Sequence, residues 1–254
     1  MKSTSPQRPP EVAEGVYRLG TRWIKFYLVA EGAEYTLVDA GYPGYWKYLA
    51  SASDALGSSL GAIKAVIVTQ HHADHVGTAE RVRGSGRARV FAGEGDAWIV
   101  AGKYPSHASP GFYRRCSIRR SGLRFLAHSA VSGGARYRPV QSVESLHDAE
   151  ARLDLPGHPL AIHTPGHAAG HYSVALPERG VLLSGDAVAT LDYVAGKRRV
   201  GLHPLNDDRE FALASLDRLE PIEAATVLPA HGDPWTEGLR RAIEITRENG
   251  RVPR

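Results

Sequence analysis

The chain has 254 residues, 43% hydrophobic and 23% charged, with a formal net charge of +4, which is ordinary for a globular protein and enough to bury a full core. No window approaches the roughly 18 consecutive apolar residues of a membrane span. The start, Met-Lys-Ser-Thr-Ser-Pro-Gln-Arg-Pro-Pro, lacks the apolar region of a secretory signal, so 1–12 reads as a disordered leader and the protein as cytoplasmic. A single cysteine, Cys116, excludes an internal disulfide framework and a thiolate metal cluster, while twelve histidines are the compositional oddity.

After the leader, 15–19, 24–29 and 35–39 read as short strands, the third ending in Asp39, for which a structural role is expected. Segment 45–56 has apolar residues at helical spacing and is closed by Gly57. The β-branched strand 63–69 stops abruptly at Gln70-His71-His72-Ala73-Asp74-His75, a run dense in metal-ligand chemistry. A short helix near 78–82, a strand at 89–92 and a helix around 97–101 follow, as in a layered α/β architecture.

Segment 103–141 breaks the pattern. It carries eight positive charges and no acid, against +4 for the whole chain, so the basic charge is local and the remainder is net negative. Two readings stand for it: an amphipathic surface insertion with solvated arginines, or a lid that attracts an anionic substrate or membrane surface. No recognised nucleic-acid motif accompanies it, so no nucleic-acid partner is expected. Its histidines, His107 and His128, are assigned to the surface.

Strands are expected next at 144–147, 150–155, 160–163, 172–176 and 181–184, then a helix at 207–219 capped by Asn206 or Asp207, a strand at 225–228 and a helix at 237–247. Three of these strands repeat the logic of the first metal-rich turn, ending in a potential ligand beside glycine at His167, Asp186 and His231. Glycine there lets the backbone bend sharply and frees the side chain to point across a cleft. With His72, Asp74 and His75 these residues make four imidazoles and two carboxylates, about enough for two Zn²⁺ ions with open positions for water. His163, His147, His158 and His203 are assigned to packing or the surface, and His171 to structural support.

The order His-x-Asp-His (72–75), Thr-Pro-Gly-His (164–167), Gly-Asp (185–186) and Pro-Ala-His-Gly (229–232) resembles the metallo-β-lactamase superfamily, over most of the chain. The resemblance implies an α/β fold, a four-layer αββα sandwich with the metals at one sheet edge, as a single domain over 1–254. It implies that His72 and His167 bind a first metal, that Asp74, His75 and His231 bind a second, and that Asp186 bridges the pair. The family motif usually reads His-x-His-x-Asp-His. Here Gln70 replaces the first His, and His71 falls at the variable position. An amide oxygen binds Zn²⁺ more weakly than an imidazole, so Gln70 is expected to be a ligand of a weaker first site.

The activity implied is that of a metal-dependent hydrolase. Hydroxide generated at two zinc ions (with iron or manganese as alternatives) attacks an ester, thioester or lactone carbonyl, and Asp74 orients it and accepts a proton. Tyr193 is a candidate oxyanion donor, and Tyr113, Arg114 and Arg115 are candidate contacts to a small, partly anionic substrate. A β-lactamase is supported by Gln70 and opposed by Asp186, and a non-haem iron oxidoreductase on the same fold is the alternative from another class. The expected partner is a small molecule, with a homodimer as a possible assembly.

Overall fold

The structure is a computed structural model and describes residues 8–104 and 110–251; His107 lies outside them. Seven strands line up in chain order as one sheet: β1 (Glu11–Ala13), β2 (Val16–Gly20), β3 (Lys25–Glu31), β4 (Glu34–Val38), β5 (Ile63–Val68), β6 (Arg89–Gly93) and β7 (Glu144–Leu146). Pairing is antiparallel from β1 to β4, where short turns suffice, and parallel from β4 to β7. Parallel strands need long returns. These are made by α1 (Trp46–Ala55) before β5, by α2 (Ala73–Val76) and α3 (Ala79–Gly86) before β6, and by α4 (Glu94–Val100), α5 (Pro110–Ser117) and α6 (Arg120–Val131) before β7.

The second sheet is built from β8 (Glu150–Arg152), β9 (Leu160–His163), β10 (Tyr172–Leu176) and β11 (Val181–Gly185). The chain then forms a hairpin, β12 (Ala189–Asp192) and β13 (Lys197–Gly201), followed by α7 (Arg209–Ser215), strand β14 (Thr226–Pro229) and α8 (Leu239–Arg251). The sheet order is β14-β11-β10-β9-β8, with only β11 and β14 parallel among its named pairs.

Period-two alternation of apolar residues decides the layering. Along β5, Ala65 and Ile67 enter the core between the sheets, while Val66 and Val68 join Leu49 and Val82 beneath α1 and α3. On β11, Val181 and Leu183 enter the same inter-sheet core, while Leu182 packs with Ala242 and Ile243 of α8. Strands apolar on both faces require cover on both, and the result is the expected αββα sandwich. Among the described residues no helix is long and apolar enough to cross a membrane.

Three local differences from the sequence reading have physical causes. Strand β1 begins at Glu11, inside the expected leader, because its edge pairs with β2. The basic segment forms two helices that bury Phe112, Cys116 and Phe125 while leaving Tyr113 and Leu123 exposed. Burial pushes the Cys116 thiol up to about 11, so it stays an unreactive packing group. The β12–β13 hairpin was not foreseen, since Lys-Arg-Arg-Val-Gly reads as surface loop.

Candidate metal centre

The ends of four strands deliver the side chains. Asp39 follows β4, 70–75 follow β5, Asp186 follows β11 and His231 follows β14; the β9–β10 connection adds His167, and the loop after β13 adds His203. The turns are tight enough to demand glycine. A Cβ on Gly185 (φ 53°) would come within 2.6 Å of His171 Nε2, and one on Gly232 (φ 114°) within 2.0 Å of Thr190 Oγ1. Asp39 holds a positive φ of 60° without being glycine. Its carboxylate over-determines that strained backbone: Oδ1 accepts from Thr69 N at 2.9 Å, and Oδ2 faces His75 Nδ1 at 2.9 Å.

The donors converge on Asp186. His75 Nε2 lies 3.4 Å from Asp186 Oδ2 and 3.9 Å from Asp74 Oδ1, while His231 Nε2 lies 3.5 Å from both Asp186 Oδ1 and Asp74 Oδ2. On the other side, His167 Nε2 is 3.3 Å from Asp186 Oδ2 and 3.2 Å from His72 Nδ1, and His203 Nε2 is 3.9 Å from Asp186 Oδ2. Ligands bonded at about 2.0–2.2 Å to one tetrahedral ion stand about 3.3 Å apart, so these separations suit shared cations. Asp186 Oδ1, His203 Nε2 and His231 Nε2 are buried and have no hydrogen-bond partner. Each such orphan costs about 1–3 kcal/mol unless something satisfies it. A divalent cation does so for all three, and the donor set fits one.

The other ring nitrogen of His231, His167 and His75 is tied to oxygen, as is usual for metal-ligating histidines. His231 Nδ1 meets the Trp23 carbonyl at 2.7 Å, His167 Nδ1 the Leu205 carbonyl at 2.7 Å, and His75 Nδ1 the Asp39 carboxylate. His171 differs: Nδ1 meets Thr164 Oγ1 at 2.8 Å and Nε2 accepts from Asp186 N at 3.0 Å, so both ends are used. Burial pushes its pKa down to about 3, and it is a neutral support for the Asp186 backbone. His71 turns away, its Nδ1 3.1 Å from Asp96, and His163 stacks on Tyr172. Burial also holds His72, His167 and His203 below their ordinary values, in the neutral form that ligation needs. Burial acts the same way on His75, but Asp39, Asp186 and Asp74 outweigh it and raise its pKa well above the ordinary value. Burial would raise Asp186, yet the imidazoles around it hold it well below the carboxylate range. A metal therefore competes here with a proton.

The family model of the metallo-β-lactamase superfamily matches residues 24–231. The chain belongs to that superfamily. It is 28% identical over 241 residues to the probable metallo-hydrolase YflN of Bacillus subtilis (strain 168), covering 89% of this chain and 87% of the relative. It is 25% identical over 206 residues to the β-lactamase-like protein 2 homolog of Caenorhabditis elegans, covering 81% of this chain but only 55% of that relative. The crystal structure of a metallo-β-lactamase family protein from Thermus thermophilus superimposes with a TM-score of 0.65 at 29% identity, covering 94% of this chain and 80% of that one. The fold implies divalent metal binding, and the Asp74-His75-His231 and His167-Asp186-His203 groups each bring their donor atoms within 4.8 Å.

In this superfamily member a cavity of about 560 Å³ opens over the metal cluster, lined by Tyr42, Asp74, Tyr113, Phe125, Tyr137 and Tyr193 among others. Tyr193 is buried and stacks on Phe125 with ring centroids 3.9 Å apart. Burial, then Asp74 and Asp186, push its pKa well up, so it remains a neutral O–H donor. Tyr113 stands half-exposed at the mouth. Arg114 is exposed, and Arg115 Nη1 donates to the Pro204 carbonyl at 3.1 Å; neither lines the cavity. Arg119, Arg120 and Arg124 instead face a second cavity of about 1020 Å³, together with Arg22, Arg198 and Arg199. Helix α6 separates the two, showing Phe125 to one and arginine to the other. The sequence reading missed His203: it follows a charge-rich strand, and its one cue is its place just beyond Gly201.

Proposed function

We propose that the protein is a dinuclear metal-dependent hydrolase of esters, thioesters or lactones, acting on a small molecule with an apolar acyl portion. The observation that carries this reading is Asp186, 1% exposed, whose Oδ1 faces His231 and whose Oδ2 faces His75 and His167. Such a carboxylate is shaped to bridge two cations. Two ions, zinc in the first instance and iron or manganese otherwise, would be held by His72, His167 and Asp186 and by Asp74, His75, His231 and Asp186. When bound they would supply Lewis acidity toward an acyl oxygen and lower the pKa of a coordinated water to about 7.

The chain's own residues do the rest. Asp74 is the most exposed carboxylate of the cluster, so it can orient the attacking water and take its proton. Tyr193 offers a neutral phenol to the developing oxyanion, and Phe112, Phe125 and Leu126 exclude water around the acyl group. The anionic portion expected from the basic segment has no arginine or lysine to meet among the described lining residues of this cavity. The test is a panel of lactones, acyl thioesters, β-lactams and phosphodiesters with and without chelator, on protein whose metal content is measured. Chelator-sensitive turnover of lactones or thioesters is expected. β-Lactams as the fastest substrates, or iron with no hydrolysis, would select the alternatives. Asp74→Asn is expected to lower kcat by about 10²–10⁴-fold, and near-normal turnover with metal still bound would remove Asp74 from its role.

A further inference from the structure

We infer that His203 is a metal ligand, supplying from the loop behind β13 the imidazole that the turn after β5 lacks at Gln70. This rests on the dinuclear reading above and reverses the expectation of a weak first site. His203 is 2% exposed, and its Nε2 has no partner and stands 3.9 Å from Asp186 Oδ2. Most buried side-chain nitrogens are hydrogen-bonded; both ring nitrogens of His171 are, and His203 Nε2 is not.

The tautomer is set from the same place as that of His167. The Leu205 carbonyl faces His167 Nδ1 at 2.7 Å and His203 Nδ1 at 3.0 Å. A carbonyl oxygen only accepts, so His167 Nδ1 carries the proton. At His203 Nδ1 the Leu205 carbonyl at 3.0 Å is closer than the Leu205 N–H at 3.3 Å, and the shorter contact assigns the same tautomer, with both Nε2 lone pairs toward Asp186. The loop is itself braced: Arg115 Nη1 donates to the Pro204 carbonyl, and Asn206 Nδ2 donates to the His203 carbonyl at 2.8 Å. Arg115 thereby acts as a positioning residue for the ligand loop.

Gln70 has the opposite character. Its amide nitrogen lies 2.5 Å from Asp186 Oδ2 and 2.7 Å from His75 Nε2. That nitrogen has no lone pair to give a cation, and the reversed amide would press its oxygen against the carboxylate. In this orientation Gln70 donates to the bridging carboxylate, while its Oε1 is buried with no hydrogen-bond partner, so the Gln70→Leu variant below decides whether that oxygen also ligates. His72 Nδ1, His167 Nε2, Asp186 Oδ2 and His203 Nε2 then make the four donors that a tetrahedral site takes.

The test is zinc titration of apo-protein, with circular dichroism to verify folding. In His203→Ala one of the two equivalents is expected to be lost from the titration. Gln70→Leu, which removes a hydrogen bond to Asp186 and no ligand, keeps both equivalents with affinity weakened by no more than about 10–100-fold, the loss an outer partner of a ligand causes. His203→Cys loaded with cobalt should gain a thiolate-to-cobalt charge-transfer band absent from wild type, whose single cysteine is buried. Two unaltered equivalents in His203→Ala, or no such band at full cobalt occupancy, overturns the assignment. Loss of an equivalent in Gln70→Leu but not in His203→Ala returns the ligand role to Gln70. Wild type binding less than about half an equivalent overturns the dinuclear reading itself.

Discussion

At the scale of single residues, Asp39 acts on the metal cluster through the ring it holds, that of His75. It lines neither of the two cavities described above, yet its two oxygens tie the end of β5 to the ring of His75. Without that carboxylate the His75 ring loses both its orientation and the charge that most opposes the effect of burial. Asp39→Asn preserves volume and offers an amide whose nitrogen cannot accept from Nδ1. The expected outcome is a roughly 10–100-fold weaker affinity at the site built on Asp74, His75 and His231, with the other site unaffected. Metal titration reads this directly, and equal weakening of both sites would mean that Asp39 holds the fold rather than the ligand.

At the scale of elements, the strand-to-loop turns carry the geometry, and two glycines separate backbone strain from crowding. Gly32, at the β3–β4 turn (φ 57°), has nothing within 4 Å of an added Cβ. Gly32→Ala should therefore cost only the backbone strain of about 1–2 kcal/mol. Gly232→Ala adds a clash with Thr190 Oγ1, which cannot swing away without losing its bond to the Asp233 carbonyl at 2.7 Å, and with Leu191 N at 2.7 Å. Overpacking of this kind costs a further 1–3 kcal/mol or so. Urea unfolding should rank the two variants in that order, and equal midpoints would show that the β14 turn relaxes freely. Such turns were legible in the sequence because an apolar run, a ligand and a glycine are consecutive there. The loop that carries His203 was not, because β13 is charged and the cluster reaches it only through tertiary packing. The helices α5 and α6 were hidden in the same way: their arginines mask the spacing of Phe112, Cys116 and Phe125. Which strands share a sheet was likewise invisible locally: β11 lies between β14 and β10 in the second sheet, which sets Asp186 between His167 and His231, and only the packing of the two sheets brings the His75 turn against them.

At the scale of the whole molecule, the positive charge that the sequence concentrates in one segment is gathered with distant arginines around Asp233. Arg198 lies 2.7 Å from that carboxylate, and Lys25 Nζ lies 3.8 Å from it while only 4% exposed. One carboxylate serves several cations, so Lys25 is under-compensated. Burial, with Arg18 and Arg198 adding to it against the pull of Asp233, lowers its pKa to about 8 from the usual 10.5. Below about pH 8 the ammonium is charged in both states, and its burial weighs on the fold in full. Between about pH 8 and 10.5 the unfolded chain binds the extra proton, so stability rises with pH, by on the order of 3 kcal/mol across the window. Buried tyrosines work in the opposite sense at the top of this range, since Tyr45 is held up by burial, as is Tyr193. The difference between wild type and Lys25→Met isolates the lysine. Urea unfolding at pH 7, 8, 9 and 10 should show the variant more stable at pH 7, with the gap closing as pH rises. A gap that stays constant over those pH values would mean that Lys25 titrates at its ordinary value and that the charge around Asp233 is balanced.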